Sequence, residues 1–128
     1  MLLVDSSVIV KFFSKEPGWE DTIKYISNSL TIPLALLELG SALSKKVGGE
    51  EIKIDIAMEM LDSYSKNAVF VEENAHLVSA LKISISNKLA IYDSLFIAIA
   101  IDEGYDLVSC DRKQIDVARK LGVNTIAV

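Results

Sequence analysis

Residues 2–13 read LLVDSSVIVKFF. A short apolar run ends in a carboxylate and two hydroxyls, and a longer apolar stretch with helical spacing follows at once. This is a strand leading directly into a helix, the unit from which α/β domains are assembled. The same residues pose a chemical question. Either Asp5 caps the helix that begins at Ser6, or it is held at the strand end for chemistry.

Working outward, the alternation runs the length of the chain. Strands are expected at 2–5, 30–32, 68–71, 106–110 and 124–128, with helices at 6–13, 20–28, 33–47, 52–66, 74–86, 92–103 and 112–121. EPGWE at 16–20 breaks the chain after the first helix, Pro33 suits a first helical turn, and VGGEE at 47–51 ends that helix. Gly104 and Gly122 stand where helices should stop before a strand. The pattern is that of an α/β domain with a mainly parallel sheet. No linker, repeat or low-complexity tract interrupts it, so residues 1–128 are expected to form one domain.

Apolar residues make up 51% of the 128, and the mean hydropathy of +0.36 is high for a soluble domain. Membrane insertion is excluded by length. LTIPLALLELGSAL (30–43) and LAIYDSLFIAIAI (89–101) are shorter than the ~20 residues of a spanning helix, and each contains a carboxylate. The N-terminus has no basic segment before an apolar run, so a cytoplasmic protein is expected. The surplus apolar content belongs to a sheet buried on both faces, to a subunit interface, or to both, and a dimer or bound partner follows. The one cysteine, Cys110, excludes an internal disulfide and cysteine-rich zinc sites, and is expected to be a small buried hydrophobe. A net charge of −5 argues against a protein that coats nucleic acid, but leaves room for a local acidic site whose metal offsets charge.

Most acids are ordinary surface, such as Glu50, Glu51, Asp55, Glu59 and Asp62. Asp5, Glu38, Asp93 and Asp111 lie instead in apolar surroundings, where an ionised carboxylate is costly unless paired, hydrogen-bonded or metal-bound. Asp5 and Asp111 each end a predicted buried strand, at the sheet edge where ligands bind in open parallel sheets; taken singly, each is better read as a helix N-cap. Glu38 sits in a helix apolar nearly all round, expected to be buried, with Ala35, Ser41 and Ala42 leaving space beside it. Its alternative is a salt bridge to Lys45 or Lys46, about two turns away. Asp93 begins or interrupts another apolar helix, where it could again be an N-cap. Together the four suggest hard oxygen ligands for Mg²⁺ or Mn²⁺, and hence metal-assisted phosphodiester hydrolysis.

Other chemistries lack their residues. The sequence has no GxxxxGK[ST], GxGxxG or HExxH. His76, the single histidine, is expected on a helix surface or in the core, and no third group supports a Cys110–His76 pair. A haloacid-dehalogenase-like phosphatase would need an acid at Ser7. A receiver-like module would need an acidic pair near Asp5 and a phosphoacceptor Asp after AVFV at 68–71, where Glu72 and Glu73 stand.

With LLVDSSVIVKFF, LALLELGSAL, IYDSLFIAIAI and LVSCDRKQI in that order, the chain resembles a PIN-domain ribonuclease, most closely the small VapC-type toxins of toxin–antitoxin pairs. The resemblance implies a three-layer α/β/α fold around a five-stranded parallel sheet. It implies Asp5, Glu38, Asp93 and Asp111 as catalytic, metal-binding acids for Mg²⁺ or Mn²⁺, with Ser7 and Ser109 orienting carboxylates or water behind them. Relatives often carry Asn where Ser7 stands, and Ser6 is equally a capping residue. An RNA substrate, a homodimer and an antitoxin whose tail fills the acidic groove are further implications. A non-catalytic PIN-like module binding RNA or protein is the alternative. Among Lys11, Lys45, Lys46, Arg112 and Lys113, Arg112 is the favoured phosphate contact, because it follows Asp111 and carries a guanidinium.

Overall fold

The computed structural model describes residues 1–128. Five strands form one sheet: β1 (Leu2–Val4), β2 (Leu30–Thr31), β3 (Val69–Phe70), β4 (Asp106–Ser109) and β5 (Thr125–Ala127). All neighbours are parallel, in the order β3-β2-β1-β4-β5. Leu3 lies beside Leu30 on one side and Leu107 on the other, and Val4 beside Val108. Leu3, Val4, Leu107 and Val108 are all buried, as central strands covered on both faces must be.

The helices are α1 (Ser6–Phe13), α2 (Ile23–Ile26), α3 (Pro33–Gly48), α4 (Ile54–Asn67), α5 (Leu77–Asn87), α6 (Ile91–Glu103) and α7 (Arg112–Lys120). From β1 the chain moves outward through β2 to β3, then returns past its start to β4 and β5. Right-handed crossovers put helices made on the outward path on one face and those made on the return on the other, giving the three-layer α/β/α arrangement. Consistent with this, α1 packs on α3 and α3 on α4, while α5 packs on α6 and α6 on α7. The winding reverses between β1 and β4. Such a switch point opens a crevice beyond the strands' carboxyl ends, and Asp5 and Asp111 stand there.

Several expectations need correction. The stretch 20–28 forms a 3₁₀ turn, Trp19–Thr22, followed by the four-residue α2, after a turn at Gly18 with φ 85°. Residues Asn74–His76 form a 3₁₀ turn ahead of α5 rather than its first turn. Helix α3 is not buried all round: Ala35, Leu39 and Leu43 face the core, whereas Leu37 is 73% exposed. Helix α6 is the buried one, with every residue from Ser94 to Ala100 inside. It stops at Gly104, whose φ of 71° suits a residue without Cβ.

Candidate metal centre

Asp5 ends β1 and is 3% exposed. It is also the N-cap of α1, accepting from the Val8 backbone N–H at 3.2 Å. Two hydroxyls hold the same carboxylate: Ser7 donates to Oδ1 at 2.6 Å and Ser109 stands 2.5 Å from Oδ2. Ser7 Oγ accepts from the Cys110 N–H at 2.9 Å, and Ser109 Oγ from the Asp111 N–H at 3.0 Å. The hydroxyls thus stitch the end of β4 to the start of α1.

Each remaining acid comes from a different element. Glu38, on α3, accepts from Ser6 Oγ at 2.6 Å, so Ser6 serves Glu38 rather than capping α1. The salt bridge considered for Glu38 is not formed; Lys46 faces Glu51 at 3.6 Å. Asp93 lies in the first turn of α6, whose N-cap is Ala90, so Asp93 is no cap. Asp111 is the N-cap of α7, accepting from the Gln114 N–H at 3.1 Å.

All four carboxylates line one cavity of about 420 Å³, together with Ser6, Ser7, Val10, Glu16 and Cys110. Cys110 is half-buried on this wall, not a core residue. Burial pushes the Asp5 carboxyl up to about 6, against the lowering pull of its bonds from Ser109, Ser7 and Val8. Asp93 is also pushed up to about 6, by burial first and then by the charges of Asp111 and Glu38, with Lys113 opposing them. Carboxylates that raise one another's pKa repel, and a cation among them relieves the repulsion.

As the side chains stand, no three of them are gathered closely enough to hold a metal ion together. An open array of carboxylates is what Mg²⁺ accepts, since it keeps several waters and takes one or two carboxylates. The donor set is all oxygen and anionic, which fits a hard divalent ion and not a soft one.

Arg112 is exposed and absent from the cavity wall. Lys113 is the cation whose charge reaches Asp93, and its Nζ donates to the Lys88 carbonyl at 2.7 Å. Three features of the surroundings escape the sequence reading. Glu16 reads as part of a turn, and Val10 as packing. Gln114, fully buried between Ser109 and Asp93, sits in the charged run RKQ, which looks like a solvated face.

A doubly wound parallel sheet with carboxylates at its switch point defines a class of α/β protein that binds its ligand at the strand ends. The model of the PIN domain matches residues 2–120, and the chain belongs to that family, whose members are in general nucleases. The fold is also that of PAE2754 from Pyrobaculum aerophilum: 22% identity, 97% of this chain and 89% of that one covered, TM-score 0.76. FitAcB from Neisseria gonorrhoeae is similar at 16% identity, with 98% and 96% covered and a TM-score of 0.58. No curated protein gives a significant sequence match.

Proposed function

We propose that the protein is a Mg²⁺- or Mn²⁺-dependent endoribonuclease. The observation that carries this reading is the convergence of Asp5, Glu38, Asp93 and Asp111, from four separate elements, on one cavity at the switch point of a PIN fold. A bound divalent ion would supply an acidified water and charge stabilisation for phosphodiester hydrolysis. Asp5 and Asp93 are the residues assigned to hold it, with Glu38 and Asp111 completing the acidic wall. Ser7 and Ser109 fix the Asp5 carboxylate by donating to its two oxygens. Lys113 stands where its charge already acts on Asp93, and Arg112 adjoins it in the first turn of α7, so both are assigned to RNA phosphates.

The biological role assigned is that of a cytoplasmic VapC-type toxin restrained by a cognate antitoxin. No single helix is long and apolar enough to cross a membrane. Large apolar side chains remain exposed on α5 (Val78 84%, Ile85 72%) and on α3 and α4 (Leu37, Ile54, Met58), and a second copy and the antitoxin are the partners we assign to them.

The test is cleavage of total RNA with Mn²⁺, with EDTA, and by Asp93→Asn. Loss of at least ~100-fold in rate with EDTA and in the variant is expected, a carboxylate ligand being removed in one case and the ion in the other. Undiminished cleavage by a folded Asp93→Asn chain overturns the assignment. Growth arrest on expression, relieved by the same substitution, tests the toxin role.

A further inference from the structure

Gln114 is 0% exposed, and a buried amide is costly unless its donor and acceptor both find partners. Its polar groups reach the supports of three of the four acids. The backbone N–H donates to Asp111 Oδ1 at 3.1 Å. The side-chain Nε2 donates to the Asp93 carbonyl at 3.0 Å. Oε1 stands 3.0 Å from Ser109 Oγ, whose single proton it shares with Asp5 Oδ2.

The acids themselves sit just past the end of β1, in the first turn of α6 and at the N-cap of α7, and like charges lining one cavity do not draw one another together. Core packing lays α6 against β4 and α7, but no attraction between carboxylates fixes the spacing of its first turn from the β4–α7 turn in the metal-free chain. We propose that Gln114 is the positioning residue that does so, setting the spacing of Asp5, Asp93 and Asp111 at which a divalent cation is received. An amide suits the task. It donates to one element and accepts from another, yet adds no charge to a cluster where a further carboxylate would repel and a lysine would compete with the ion.

This inference rests on the metal-dependent reading above, and its test separates the two. Mn²⁺ binding is measured by calorimetry on the full chain, on Gln114→Met and on Asp93→Asn, with thermal melting as the check on folding. Gln114→Met keeps the volume and removes both side-chain hydrogen bonds. It is expected to melt cooperatively and to lose roughly tenfold or more in Mn²⁺ affinity, the usual scale for partners behind metal ligands. At saturating Mn²⁺, kcat should fall while KM for RNA holds, because no RNA contact has changed. Asp93→Asn, which removes a carboxylate assigned to the ion, sets the reference for lost Mn²⁺ binding.

Wild-type-like Mn²⁺ affinity in folded Gln114→Met overturns the inference and leaves the nuclease reading standing. Failure of the unsubstituted chain to bind Mn²⁺ overturns both. Should Gln114→Met melt without cooperativity, Gln114→Leu carries the same test.

Discussion

At the scale of single residues, Asp5 shows how one carboxylate can cap a helix and still be uneasy in its place. It caps α1 through Val8 and takes two hydroxyl donors, yet burial leaves its carboxyl raised from 3.8 to about 6. The metal-free fold therefore binds that proton more tightly than the unfolded chain does. The stability this contributes is fully present below about pH 4 and is lost as pH rises through about 6. Asp5→Asn removes the charge and keeps a good N-cap residue. In EDTA at pH 7.5 the variant should resist urea better than the parent, by on the order of 2 kcal/mol, with the difference vanishing near pH 4. Equal urea midpoints at pH 7.5 would show that the buried charge is fully compensated. The same substitution should abolish RNA cleavage, so stability and activity are expected to move in opposite directions.

At the scale of elements, α6 carries the most severe demand, because it runs through the core and delivers Asp93 at its first turn. Directly after Asp93, Ser94 is fully buried and its hydroxyl has no partner. Ser94→Ala removes an unsatisfied donor and improves helix propensity, so a gain of about 1 kcal/mol is expected, read as a higher urea midpoint at unchanged slope. A loss would mean that the hydroxyl finds a partner in solution. Elements of this kind were legible in the sequence wherever local chemistry decides them. The LLVDSS transition, Pro33 at the first turn of α3 and Gly104 at the end of α6 are each set by neighbours a few residues away. The region 20–28 was not legible, because its shape follows from the turn at Gly18 and from Trp19 packing edge-on against Phe12 at 5.9 Å. Among site residues, the four acids stood out as charges in apolar runs. Gln114 did not, since its burial arises only when α7 meets α6, and nothing in RKQID distinguishes the inward position from the exposed Arg112 and Lys113 on either side.

At the scale of the whole molecule, five of the 18 acidic side chains, Asp5, Glu16, Glu38, Asp93 and Asp111, gather around one cavity of a chain whose net charge is −5. Like charges gathered this way repel, and on the proposed reading a bound divalent cation relieves that repulsion. Ligand linkage gives the size: Mn²⁺ at 100 times its dissociation constant adds about 2.7 kcal/mol. For a domain of this length that is a rise of roughly 5–15 °C in Tm. Asp5→Asn and Asp93→Asn should lose most of that rise, while starting from a higher Tm in EDTA. The lead of the variants over the parent in EDTA is thus expected to close or reverse in Mn²⁺. Simple destabilisation by either substitution would lower Tm in both conditions, and a merely general salt effect would raise parent and variant alike. The rise should also fade below about pH 6, because Asp5 and Asp93 must each give up a proton before they can hold the ion. Melting curves of the three chains in EDTA, in NaCl of matched ionic strength and in Mn²⁺, at pH 7.5 and pH 5, therefore decide whether the acidic cavity is a cation site. A Mn²⁺-induced rise of equal size in the parent and both variants would show that it is not.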